Sequence, residues 1–346
     1  MTRIYIAMED ELLVVGRNNG RWHTDQQMTG SSPQCVAVDP LRPERLYCGT
    51  ANRGLWQSVD AGTSWKPVGE GIIHEAVMAV AISPAESADG HGVVYAGTEP
   101  SALFRSEDGG ESWEELRGMR ELPSASEWSF PPRPETSHVR CIVPDPHAAG
   151  NLFVCIEAGA LIRSHDGGRT WQDRTPDGPR DTHTLASHKD APGHLYSAAG
   201  DGFTRAGMGY AESRDGGETW ERFFEGLKHH YLWGVAVDPA DPETVLVSAA
   251  ASPQEAHNPR RASSAIYRKE AGGPWREVRE GLPEAEGRIA SILASNEAEP
   301  GVFYVLTNGG LYRSPDAGLA WERLEVAWSD HYRHQRPRGL AVVEAD

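Results

Sequence analysis

One eight-residue phrase recurs along this chain and constrains its fold more than any other feature. The segments SVDAGTSW (58–65), SEDGGESW (106–113), SHDGGRTW (164–171), SRDGGETW (213–220) and SPDAGLAW (314–321) share the form S-x-D-x-G-x-x-W. A degenerate copy ends at Trp275 and a weaker one at Trp22, and successive tryptophans are 43, 48, 58, 49, 55 and 46 residues apart. Seven copies of a unit of about 40–50 residues is the period of propeller blades. The 346 residues therefore read as one ring, not as the two domains that length alone suggests.

Each unit carries four short runs of strand character. An inner run comes first, small and β-branched, as in CVAVDP from Cys35, VMAVAISP from Val77, VRCIVPDP from Val139 and LWGVAVDP from Leu232. A second run follows a Pro- or Gly-bearing turn (RLYCGT, VVYAGT, HLYSAAG), a third leads into the phrase (GLWQS, ALFRS, GLYRS), and the tryptophan opens a fourth. Period-two alternation over runs this short predicts half-buried antiparallel sheet. The predicted fold is all-β: a seven-bladed propeller of four-stranded blades forming a single domain over 1–346. Its closing blade combines 338–345 with 1–30, so the last inner strand pairs with the first strands and hides two sheet edges.

The phrase explains itself as structure. Asp and Ser side chains can satisfy backbone groups of a tight turn, Gly supplies positive φ, and Trp packs between strands. A turn repeated around a ring cannot mark one active site, so Asp60, Asp108, Asp166, Asp215 and Asp316 read as structural. On these residues the chain resembles the Asp-box, or bacterial neuraminidase repeat, family of β-propellers. That resemblance is specific for fold and unspecific for function. Similar repeats occur in sialidases, xyloglucan-cleaving glycosidases, sortilin-type receptors and seven-bladed photosystem II assembly factors. The sialidase Phe/Tyr-Arg-Ile-Pro signature has no match; the nearest segment is Thr2-Arg3-Ile4-Tyr5. Tandem-propeller xyloglucanases are about twice as long and build their cleft between two rings, so neither activity transfers residue by residue.

Charge narrows the partners. With 33 basic and 50 acidic side chains the formal charge is −17 and the acids are scattered, which disfavours nucleic acid and anionic membrane surfaces. No stretch approaches the roughly 18 apolar residues of a span, and Glu9, Asp10 and Glu11 interrupt the N-terminal apolar run, so the expected location is cytoplasmic. Cys35, Cys48, Cys141 and Cys155 have no CxxC spacing and read as buried core residues.

In an up-and-down blade the second-to-third-strand loops and the blade-to-blade loops share one face, opposite the repeated turns. Eight of 14 histidines fall on that face: His74, His138, His183, His229, His230, His257, His331 and His334. Glu99, Glu157, Asp201 and Glu255 lie in the second-to-third-strand loops, two of which are enlarged (200–210 and 251–264). Histidine and carboxylate from several blades suit a divalent metal, with Mn, Zn, Fe or Ni as candidate cofactors and His138, His183, His230 and His257 as candidate ligands. Some propeller lyases are similar in placing histidines around a metal. Singly, each histidine reads more readily as a solvated or hydrogen-bonded loop residue than as a ligand; it is the set that points to a site.

Glu157, Asp201 and Tyr231 are the candidate catalytic groups, with Glu99 as an alternative partner for Glu157. Arg140, Arg288 and Arg338 stand at or before inner strands, with Arg333 and Arg336 near Arg338, and could hold a carboxylate, sulfate or phosphate. In a chain with 29 arginines and four lysines, ordinary ion pairing is an equal reading. Trp233 offers a flat surface to a sugar ring, or packing at the blade edge. Two functional classes follow: a metal-assisted hydrolase or lyase for a small anionic or carbohydrate-like ligand, or a non-catalytic scaffold for a protein or peptide.

Overall fold

The protein is described by a computed structural model that covers residues 2–88 and 90–344. Seven antiparallel sheets form the blades of a β-propeller, each ordered from an inner strand outward. The inner strands of blades 1 to 6 are Pro33–Asp39, Ala76–Ala88, Val139–Pro144, Thr182–Ser187, Tyr231–Asp238 and Ile292–Ser295. Blade 7 closes the ring. Its inner strand Gly339–Glu344 pairs with Thr2–Ala7, setting Val342 opposite Ile4 and Leu340 opposite Ile6, and Leu12–Asn18 and Arg21–Gln27 complete the sheet. Of the expected closing strand, Ala345 lies outside the described residues, as does Met1 of the 1–30 segment. In blade 3 the fourth strand is reduced to a single bridge between Arg163 and Gln172. Among the described residues no helix is long and apolar enough to cross a membrane.

Blade cohesion comes from the second strands. Tyr5, Tyr47, Tyr95, Tyr196 and Tyr304 sit at equivalent positions of five second strands, with Leu246 at that place in blade 5, and all are fully buried. Each tyrosine removes roughly 150–250 Å² from water, about 4–6 kcal/mol at 25 cal/mol/Å² before the entropy of ordering is subtracted. Three of the hydroxyls reach across the blade boundary: Tyr5 donates to the Ala61 carbonyl (3.2 Å), Tyr47 to the Gly109 carbonyl (2.9 Å) and Tyr196 to the Pro242 carbonyl (2.7 Å). The blades approach so closely that a Cβ on Gly49 would lie 2.5 Å from the Val77 carbonyl oxygen.

The repeated aspartates are consumed locally. Asp60 Oδ1 accepts from Ser58 Oγ (2.7 Å) and Ser64 N (2.9 Å), and Oδ2 accepts from Ser64 Oγ (2.6 Å). The Ser64 bonds hold this carboxyl down to about 2. The same pattern recurs at Asp108, Asp166 and Asp215. All lie in the third-to-fourth-strand turns, at the opposite end of the blades from the second-to-third-strand loops.

Candidate functional site

The inner strands begin irregularly, and the irregularity builds the site. Pairing with the second strand skips one residue between Pro33 and Cys35, Val77 and Ala79, Val139 and Cys141, and Thr182 and Thr184, and skips two between Leu232 and Val235. The skipped residues are Gln34, Met78, Arg140, His183 and the pair Trp233 and Gly234. A β-bulge leaves its extra residue unpaired and re-aims the side chain. Here Gln34, Met78, Arg140, His183 and Trp233 all line one central cavity of about 860 Å³. The residues two positions earlier also line it in four blades: Ala76, His138, Asp181 and Tyr231. Blade 7 adds Arg336 and Arg338, again two apart.

Around blades 2 to 4 the polar groups form one connected set. His138 Nε2 lies 2.9 Å from Glu157 Oε2, Arg140 Nε lies 3.7 Å from the same oxygen, and His138 Nδ1 faces Glu99 Oε2 at 3.8 Å. Glu99 is clamped by Arg133 through two bonds of 2.9 and 2.7 Å, and Arg133 stacks over Phe130, whose ring meets His138 edge-on. Burial opposes ionisation of Glu157, but the His138 bond and the charges of His138 and Arg140 outweigh it and hold the carboxyl far below the usual range.

Asp181 shows the opposite balance. Burial pushes its carboxyl up, and the neighbouring Glu157 and Asp201 charges add to the rise. Its Oδ1 accepts from Ala158 N (2.8 Å) and lies 3.6 Å from His183 Nε2. Gly200 makes room for it: a Cβ there would collide with Asp181 Oδ2 and lie 2.8 Å from His183 Cε1.

On the blade 5 side, Tyr231 Oη bonds His257 Nε2 at 2.9 Å and lies 3.4 Å from His183 Nε2, while His183 Nδ1 bonds the Leu232 carbonyl at 2.7 Å. A short helix, Pro253–His257, inside the enlarged 251–264 loop delivers His257. Burial drives its imidazole down to about 3, aided by His183 and Arg336, so it is neutral at pH 7.

The cavity thus collects Glu99, Glu157, Tyr231, Arg140, Arg338, Trp233, His138, His183 and His257 from the sequence-based candidates. The others sit elsewhere. Asp201 does not line the cavity; its Oδ2 accepts from the backbone N of Arg180 and of Asp181 (3.0 and 3.1 Å), which positions Asp181. Arg288 is buried and donates to the Ser264 and Pro283 carbonyls, so its charge is turned into the blade 5–6 junction. His230 is outside the cavity, with Gly207 N 3.4 Å from its Nδ1. Trp233 is no open platform: the Arg140 guanidinium covers its ring at 4.4 Å, and His183 and His257 pack at 4.6 and 4.2 Å. Its role is to hold Arg140.

Of the four candidate metal ligands, His138, His183 and His257 line the cavity and His230 does not. Among the described residues no group of three or more His, Cys, Asp or Glu converges with metal-holding geometry. The inward nitrogens of His138 and His257 are already bonded to Glu157 and Tyr231. Several cavity residues were not singled out from the sequence, among them Asp181, Phe130, Arg133, Gln34 and Met78, and Arg336 was noted only as a neighbour. The signal for Asp181 was its spacing, two residues before His183 at the start of an inner strand.

No family model matches the chain. A segment of 107 residues, 30% of this chain, is 31% identical to a probable oligoxyloglucan-reducing end-specific xyloglucanase of Neosartorya fischeri, of whose length it spans 11%. Among solved structures, an ancestral GH74 enzyme aligns with TM-score 0.65 at 18% identity over 86% of this chain and 39% of its own. The GH74 enzyme of Niastella koreensis aligns with TM-score 0.65 at 16% identity over 92% and 53%. YCF48 bound to a D1 peptide aligns with TM-score 0.58 at 17% identity over 85% and 82%. At these identities the likeness is one of fold.

Proposed function

We propose that the funnel binds a small carbohydrate-like ligand and cleaves it by general acid–base chemistry. The observation that carries this reading is a pair of carboxyl groups in one cavity whose ionisation is driven apart, Glu157 downward and Asp181 upward. Such a split assigns roles: an ionised base and a protonated acid at one pH. Glu157 takes a proton from water, the oxygen of that water attacks the anomeric carbon, the glycosidic C–O bond breaks, and the leaving oxygen takes the Asp181 proton. The GH74 neighbours and the xyloglucanase segment support a carbohydrate ligand. The proposed steps use only side chains of this chain, so added Mn²⁺ or Zn²⁺ is expected to leave turnover unchanged.

The test is turnover of an oligosaccharide and aryl-glycoside panel by the wild type, Glu157→Gln and Asp181→Asn. Each substitution is expected to lower kcat at least about 100-fold, the usual weight of one acid–base group. In the wild type, activity falls as pH rises through the elevated Asp181 value, because the acid is then ionised, and Asp181→Asn abolishes that limb. Unchanged turnover in both variants refutes the assignment. A second reading, a peptide-binding scaffold, draws on the YCF48 likeness, which covers most of both chains. It requires that peptide binding survive Asp181→Asn and that no glycoside be turned over.

A further inference from the structure

Three arginines give this funnel a character that acid–base cleavage does not use. Arg140, Arg336 and Arg338 line the cavity. Arg140 makes no hydrogen bond with a described residue: its Nε is buried without a partner, its closest carboxylate oxygen is 3.7 Å away, and Trp233 holds the guanidinium plane. Arg336 makes no hydrogen bond or ion pair at all among the described residues. Arg338 spends one donor on Glu9 at 3.2 Å and keeps a buried Nε unpartnered.

Buried donors without acceptors cost about 1–3 kcal/mol each, so their convergence calls for an acceptor from outside the chain. The acids of the same cavity do not supply it. Glu99 is clamped by Arg133, Glu157 is bonded by His138, and Asp181 is pushed toward its neutral form. A chain of charge −17 therefore encloses a funnel with excess positive charge.

We infer that Arg140, Arg336 and Arg338 form a subsite for a carboxylate, and that the ligand class is a sugar acid rather than a neutral sugar. A guanidinium presents a planar fork of donors that matches a carboxylate with two parallel bonds. The low-dielectric wall strengthens each such bond. The cavity volume of about 860 Å³ leaves room for a uronide beside the carboxyl pair. This assignment rests on reading the funnel as a carbohydrate site, and it adds which sugar.

The test is calorimetric titration of the wild type and of Arg336→Ala with methyl β-D-glucuronide, methyl β-D-glucoside, inorganic phosphate, and trialanine with a free or amidated C-terminus. The glucuronide is expected to bind at least 10-fold more tightly than the glucoside. Arg336→Ala is expected to remove most of that preference, Arg336→Lys to restore part of it, and thermal unfolding to be unchanged in both, since Arg336 holds no other residue. Equal affinity for glucuronide and glucoside overturns the subsite, as does phosphate binding as tightly as the glucuronide. Free trialanine binding more tightly than the glucuronide, with the amidated form failing, overturns the sugar-acid assignment in favour of a peptide terminus. Glucuronide preference without turnover of any glycoside refutes the acid–base reading alone; turnover of neutral glycosides without that preference refutes the subsite alone.

Discussion

Removing the charge of Glu212 should cost this propeller about 3 kcal/mol at pH 7, and the cost should vanish in acid. Glu212 is buried between blades 4 and 5, only 2% exposed, where it bonds the ammonium of Lys269 and accepts from Tyr210 Oη at 2.9 Å. His194 Nε2 lies 3.1 Å away. Lys269 is itself buried against the Phe223 ring at 4.4 Å and has no other carboxylate partner among the described residues. Burial alone would raise the Glu212 carboxyl; the His194 and Lys269 bonds overcome it and hold it at about 2, against 4.5 for a free glutamate. At 1.36 kcal/mol per unit that difference is about 3 kcal/mol. Breaking a buried ion pair by removing one partner independently predicts about 3–5 kcal/mol.

The sign fixes the pH dependence. A carboxyl depressed in the folded state contributes stability that is complete above its unfolded value and is lost as pH falls toward its folded one. Denaturant unfolding of wild type and Glu212→Gln should therefore show a gap of about 3 kcal/mol at pH 7 that closes between about pH 5 and pH 2. Adding Lys269→Met to Glu212→Gln should recover much of the loss, because a buried pair replaced by apolar groups is often neutral. A gap that does not change with pH, or losses that simply add in the double variant, would refute the reasoning.

Two further perturbations test the repeat and the site. Ala61 and Ala317 occupy left-handed backbone, φ 56° and 58°, where three sister turns carry Gly109, Gly167 and Gly216. Glycine should relieve about 1–2 kcal/mol of strain there at an entropic cost of about 0.5–1 kcal/mol, so Ala61→Gly should raise the midpoint of thermal unfolding, and a lowered midpoint contradicts the strain argument. Gly200→Ala should displace Asp181 and cut glycoside turnover at least about 100-fold while costing about 1–3 kcal/mol of stability; full turnover would show that Asp181 is not held where the acid must sit.

The repeat made the fold legible because it writes one rule around the ring: a glycine and a tryptophan in seven copies, with a turn aspartate in five of them, set the blade period, and the period sets the ring. Ring closure by Gly339–Glu344 was equally readable, since the first 27 residues supply three strands that lack an inner partner. The site was only half legible, and the bulges explain why. Strict alternation from the strand starts cannot say which residue of a skipped register faces inward, so His138 and His183 were found while Asp181 was passed over for Asp201, its neighbour in space. Arg288 looked like Arg338, one residue before a run of strand character, but the inner strand of blade 6 pairs with its neighbour without a register shift, and the side chain turns into the blade junction instead. Trp233 was readable as an aromatic at the funnel, yet only the packing of Arg140 on its face shows that it carries a cation instead of a ligand ring.

Paired positions two apart at each strand start are therefore the informative unit in this ring: His138 with Arg140, Asp181 with His183, Tyr231 with Trp233, Arg336 with Arg338. In three of these pairs the bulge skips the second member, which frees it from the sheet while the first stays at the strand mouth. The paired positions thus carry charge and aromatic rings in blades 3, 4, 5 and 7, while Ala76 and Met78 of blade 2 and Ile289 and Ala290 before the inner strand of blade 6 give the wall between them an apolar lining.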